Sequence, residues 1–264
     1  MPSAKPAAEL RVIALAGIPK VHAGDDIATL ILNALHNSGL TLQHGDILVI
    51  AQKIVSKAEG RLVALASVAP SSRAQTLAAE VDKDPRLVEL ILRETTEVVR
   101  HRKNVLVVAH KSGVVLANAG IDASNVGEGQ GDDGVDSHVL LLPEDCNRSC
   151  RTIRQRLADE TGIEVAVVIN DSLGRAWRNG TVGTALGAAG LPALLDLAGT
   201  PDLFGRKLRT TEVGLADEIA AAASLLMGQA GEGTPVVLLR GLKLAARDGS
   251  AAELIRPREI DLFR

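Results

Sequence analysis

The sequence predicts an α+β protein of mixed, largely antiparallel sheets with flanking helices. Two observations carry this. Apolar β-branched runs mix with capped helical segments, but without the strict strand–helix–strand alternation of a doubly wound sheet. In addition, 46% of the 264 residues are hydrophobic, enough for a sizeable core. A chain of this mass scales to roughly 11,000 Å² of folded surface against about 40,000 Å² unfolded, so one large domain or two intimate subdomains is expected.

The elements follow in order. Leu10–Ala16 reads as a strand, and Asp25 or Asp26 caps a helix running to about Asn37. Asp46–Ala51 is a buried strand by its β-branched content. Ser71 or Ser72 caps a helix to about Val81, and Asp84-Pro85 starts another, because proline suits the first helical position. Val105–Ala109 and Val114–Ala117 are strands joined by a Lys111-Ser112-Gly113 hairpin. Cys146–Thr161 reads as a helix stopped by Gly162, and Glu164–Ile169 as a strand. Asp217–Met227 is an alanine-rich helix ending at Gly228, and Pro235–Arg240 is the strand after it. Gly127–Ser137 is the candidate for a long flexible loop. Gly180, Gly183, Gly187 and Gly190 recur at helix-like spacing, and either admit a neighbouring backbone or bend a strand.

Composition excludes several functions. The aromatic residues are Phe204, Phe263 and Trp177, too few for a stacking platform that binds single-stranded nucleic acid. With 29 basic and 32 acidic side chains, no large positive field attracts a phosphate backbone. Cys146 and Cys150 are the only cysteines, which suits core thiols in a reducing cytoplasm better than a disulfide framework or zinc site. No signal peptide or membrane span is apparent, so a cytoplasmic protein is expected.

Chemistry is confined to four polar clusters at element ends. No glycine precedes a lysine, so there is no Walker A loop, and neither an HExxH nor a GxSxG motif occurs. The first cluster is Asn118–Asn125, where Asp122 offers an anionic oxygen and Ser124 and Asn125 neutral donors. The second is Asn170–Arg175, after an apolar strand, with Asp171, Ser172, Arg175 and, just beyond, Arg178. This set suits a hard divalent cation that holds phosphate oxygens. If Asp122 and Asp171 converged to ~4 Å, their repulsion would be about 4 kcal/mol at an effective dielectric of 20, and a cation would remove it. The alternative is that each aspartate caps a turn. The third cluster is Gln52-Lys53 with Ser56–Arg61, in which two lysines either reach phosphates or decorate a solvated helical face. The fourth is Met227–Thr234, a glycine-rich turn whose backbone N–H groups could line an anion, or simply an ordinary connection.

Taken together, these stretches resemble the coenzyme F420-0:γ-glutamyl ligase family. The matching segments are Gly17-Ile18-Pro19, Ser56–Arg61, Asn118–Asn125, Asp171–Gly183, Asp202–Leu208, Ala216–Gly228 and Arg240-Gly241. They place a single ligase domain at residues 10–245, with an N-terminal arm (1–9) and a C-terminal extension (246–264). The stand-alone form, without the nitroreductase-like domain of some relatives, is expected. The resemblance implies a cytoplasmic, intertwined homodimer of two α+β subdomains that consumes GTP to add L-glutamate to F420-0 through an acyl phosphate, with successive γ-links. It also implies two divalent ions, Mg2+ or Mn2+, with K+ as a further candidate. By matching position, Asp122 and Asp171 are metal ligands, with Ser172 and Gln229 at the second ion. Gln229 stands where relatives can have Glu, and Glu232 is the substitute candidate. Ile18, Pro19, Lys20, Val21, Gln52, Lys53, Lys57 and Asn125 are assigned to GTP, with the loop Met227, Gly228, Gln229, Ala230, Gly231, Glu232, Gly233 and Thr234. Asp122, Asp171 and Arg175 are the catalytic candidates, and Arg175, Arg178, Arg206 and Lys207 are candidates for an acidic substrate. A metal-dependent phosphotransferase or phosphohydrolase is the alternative activity, and a non-catalytic binder of a deazaflavin or nucleotide is a third reading.

Overall fold

A computed structural model describes residues 8–123, 137–244 and 247–263. Ser124, Asn125 and all of the expected long loop except Ser137 lie outside the described residues. In chain order the elements begin with β1 (Arg11–Ala14), α1 (Ile27–Asn37), β2 (Ile47–Ala51), α2 (Gln52–Ala58) and β3 (Leu62–Ala64). Next come α3 (Ser72–Val81), α4 (Pro85–Arg93), β4 (Thr95–Arg102), β5 (Val105–His110), β6 (Val115–Ala117) and β7 (His138–Leu140). The chain continues through α5 (Cys146–Thr161), β8 (Ala166–Arg175), β9 (Arg178–Ala189), β10 (Leu195–Asp196), β11 (Glu212–Val213), α6 (Leu215–Met227) and β12 (Val236–Arg240).

A five-stranded sheet in the order β1-β12-β2-β8-β9 forms the centre, and all its pairings are antiparallel except β2 with β8. Successive side chains of a strand point to opposite faces, so a strand buried on both sides reads as a continuous apolar run. In β2 and β8, Leu48, Ile50, Val167 and Ile169 meet α1 and α5, while Ile47, Val49, Ala166 and Val168 meet α6. The protein is mixed, with helices on both faces of an antiparallel-rich sheet. A second core gathers Leu77 and Val81 of α3, Val88 and Ile91 of α4, and Leu106 and Val108 of β5.

Helix ends agree with the sequence reading because capping is local. Asp26, Ser71, Asp84 and Asp145 accept hydrogen bonds from Thr29, Ala74, Arg86 and Arg148 N–H, and Gly162 ends α5 at φ +70°. The predicted hairpin joins β5 to β6, with Gly113 N–H donating to the His110 carbonyl at 2.8 Å.

One expectation is corrected. The Asn170–Arg175 cluster does not follow a strand; it lies within β8, which runs on to Arg175 because its pairing with β9 continues through Asp171↔Thr184 and Ser172↔Gly183. Ladder hydrogen bonds, rather than apolar side chains, sustain this stretch. The glycines from Gly180 onward lie in or beside β9, and of the two readings offered for them close backbone approach holds at Gly183 and Gly187. A Cβ at Gly183 would strike Ser224 Oγ and the Ala220 carbonyl, and one at Gly187 the Cys146 carbonyl. These glycines admit neighbouring backbones. The strand β4 (TTEVVRHR) was absent from the sequence reading, because its charged residues mask the alternation.

Candidate active site

Sheet register brings four separate segments to one edge. Because β2 and β8 are parallel, the carboxyl end of β2 falls beside the middle of β8, with Ala51 opposite Asn170. β12 runs the other way, so its start pairs with the end of β2 (Val236↔Ile50), and Ala51 N–H donates to the Pro235 carbonyl at 2.8 Å. The end of β1 reaches the same edge through Leu15 N–H, which donates to the Val236 carbonyl. Gly17–Val21, the start of α2, Asn170–Ser172 and the Met227–Thr234 loop therefore share one rim. Val21 is buried in the core and Ile18 packs against it, which holds the first of these segments down.

Asp122 comes from outside the sheet. It follows a turn in which Asn118, Ala119 and Gly120 all have left-handed φ (51°, 54° and 68°), a strained conformation for the first two. Asp122 then bridges Leu140 by paired backbone hydrogen bonds of 3.0 and 2.8 Å. Its carboxylate takes the Lys53 ammonium at 2.6 Å, so this lysine is not on a solvated helical face. Burial raises the pKa of Asp171 to about 6, against the lowering effect of the Ser172 N–H (2.8 Å); the Asp122 charge raises it further and Lys53 lowers it. The Asp122 charge thus acts on Asp171. Lys57 is held below the ordinary lysine range by burial and by the charges of Lys53 and Lys20. The rim thus gathers cations from two segments beside an acidic pair.

These residues fit a hard divalent cation. Two carboxylates that repel each other, with a hydroxyl at Ser172, leave further coordination positions to substrate oxygens or water, as Mg2+ sites commonly do. Among the described residues no group of three or more His, Cys, Asp or Glu is placed to hold an ion by itself. Glu232 is engaged within its own loop, accepting from Ala230 N–H at 2.8 Å, and backbone N–H groups hold its pKa down. Gln229 is exposed in the same loop. Gln52 is buried, and its side-chain oxygen accepts the Ser56 hydroxyl at 2.9 Å.

A family model described as F420-0:Gamma-glutamyl ligase matches residues 17–241. The chain belongs to this ligase family. It is 48% identical over 257 residues to the coenzyme F420:L-glutamate ligase of Methanothermobacter thermautotrophicus, covering 97% of this chain and 99% of that one. The corresponding ligase of Methanopyrus kandleri is 46% identical, with 93% and 94% covered, and that of Archaeoglobus fulgidus 42%, with 97% and 96% covered. The ligase match spans the whole rim, from Gly17 to the start of β12.

Not every candidate reaches the rim of this ligase-family fold. Arg175 stands at the exposed end of β8, four residues and about 13 Å along the strand from Asp171. Arg178 begins β9 beside it. Arg206 and Lys207 lie on an exposed turn between β10 and β11, where Asp202 accepts from Phe204 and Arg206 N–H. Both cysteines are free and buried; burial, with Glu59, Asp145 and Asp171 nearby, pushes the Cys146 thiol up to about 12, so it stays protonated. The left-handed turn before Asp122 escaped the sequence reading, although Gly120 in its NAG triplet was the available signal. No described helix is long and apolar enough to cross a membrane.

Proposed function

We propose that this chain is a GTP-dependent ligase that adds L-glutamate to F420-0 by way of an acyl phosphate. The observation that carries the reading is the shared rim, where Asp122 and Asp171 face a lysine cluster beside a glycine-rich loop. A carboxylate is a poor acyl donor, so its oxygen must first be phosphorylated before an amine can displace phosphate. The F420-0 carboxylate attacks the γ-phosphorus of GTP, releasing GDP; the glutamate amine then attacks the acyl carbon, losing a proton and expelling phosphate. Lys20, Lys53 and Lys57 supply fixed positive charge for the phosphates, and the loop supplies N–H groups. Asp122 and Asp171, with Ser172 and Gln229, would hold Mg2+ or Mn2+, which neutralises phosphate charge when bound. K+ is a further candidate ion. Arg175 and Arg178 serve an acidic substrate from the hairpin end, and the chain is an intertwined homodimer. Exposed apolar side chains at Trp177, Leu203 and Phe204 support this intertwined homodimer of two-subdomain chains.

The test is mass spectrometry of F420-0 incubated with GTP, Mg2+ or Mn2+ and glutamate. Each turnover should add one γ-linked glutamate residue and release one GDP and one phosphate, and Asp171→Asn should abolish addition while the fold persists. GTP hydrolysis at full rate without glutamate, with no mass increment, would overturn the reading.

A further inference from the structure

We infer that Asn170 is a positioning residue that fixes the base of the Met227–Thr234 loop on β8, the strand that carries Asp171. The inference rests on the reading that this loop holds nucleotide phosphates. By strand alternation Val168 and Asn170 face α6, while Ile169 and Asp171 face the other way. The buried Asn170 amide donates to Ser224 Oγ at 3.1 Å and to Met227 Sδ at 3.3 Å, both in the last turn of α6. Gly183, across β8 in β9, lets that turn lie directly on the strands, since a Cβ there would strike Ser224. The loop closes on the same turn, because the Thr234 hydroxyl donates to the Leu226 carbonyl at 2.7 Å. One end of the loop is thus fixed by the side chain of the residue whose backbone carries Asp171.

Two further features favour function over packing. The Asn170 side-chain oxygen is buried with no hydrogen-bond partner among the described residues. A buried acceptor left unpaired costs stability, so an apolar residue would serve a purely structural role better. A register shift between β8 and β9 falls at Ile169/Asn170, and Asp217, in the first turn of α6, accepts the displaced Ala185 N–H at 2.9 Å. Both ends of α6 are therefore tied to the point where β8 turns from core strand to site.

The experiment compares wild type with Asn170→Ala, Ser224→Ala, the double variant and the exposed control Leu225→Ala. It measures GDP–Mg2+ binding by calorimetry, KM for GTP and for F420-0, and Tm. Asn170→Ala should weaken GDP–Mg2+ binding and raise KM for GTP about tenfold, the scale of a misplaced binding loop, with KM for F420-0 nearly unchanged. Ser224→Ala should move the same two quantities, the double variant should be no worse than Asn170→Ala alone, and Leu225→Ala should match wild type. If Asn170→Ala does not fold, Ser224→Ala decides by the same criteria. Unchanged nucleotide affinity in the variants, or equal rises in both KM values with a fall in Tm, would overturn the positioning role alone. Failure of the wild type to bind GDP–Mg2+ would overturn the nucleotide reading with it.

Discussion

Asp171 carries a proton more readily than an ordinary carboxylate, with a pKa of about 6 against 3.8, chiefly because burial penalises its charge. The sign follows. The folded state binds this proton more tightly than the unfolded chain, so metal-free stability declines as pH rises from about 4 to 6 and then levels. Metal binding runs the other way, since the ion needs the carboxylate ionised. Apparent Mn2+ affinity should fall about tenfold between pH 7 and pH 5, where a carboxylate of ordinary pKa would give a flat profile. Calorimetric titration at several pH values checks this, and Asp171→Asn should bind weakly and without that pH dependence. Gln229→Glu should lower the metal needed for half-maximal rate, because hard cations prefer carboxylate to amide oxygen and Glu232 is engaged by its own loop. An unchanged titration would place the second ion elsewhere. Both aspartates were legible as polar residues beside apolar strands. The Lys53–Asp122 pair was not, because 69 positions separate its members and no local pattern joins them.

Among the elements, β9 is the most exacting. Gly187 lies under the first turn of α5, whose Cys146 carbonyl occupies the place of a Cβ. A backbone atom cannot swing aside, so Gly187→Ala should destabilise by about 1–3 kcal/mol, the usual cost of overpacking. Gly174, with nothing within 4 Å of an added Cβ, provides the control: Gly174→Ala should stay within about 0.5 kcal/mol of wild type. Urea denaturation of both variants tests the contrast. Helix ends were legible because a capping side chain and the N–H groups it bonds lie within three residues of one another. The outer half of β8 was not, because its extension depends on a partner strand and not on its own polar residues.

For the molecule as a whole, the side chain of Asn147 is one of the links that join the segment after β12 to the central layers. Asn147 of α5 accepts from Ala188 N–H of β9 at 3.1 Å and from Ala251 N–H at 2.9 Å. Gly249 N–H donates to the Leu191 carbonyl, and Arg258 pairs with Glu97 of β4 at 2.8 Å, so the segment spans from the central sheet to the second one. Asn147→Ala leaves two backbone donors without their acceptor and should cost about 1–3 kcal/mol, read as a lower Tm with one cooperative transition. An unchanged Tm would show that the segment contributes little to stability. The sequence by itself determined the helix boundaries, the inner strands and the residue types able to carry phosphate chemistry, since each is set by contacts within a few positions. The tertiary structure alone decided which of them meet. The parallel register of β2 with β8, the reversal of β12 and the seating of α6 on Gly183 bring distant segments to one rim, and sheet order is settled by packing across the whole chain.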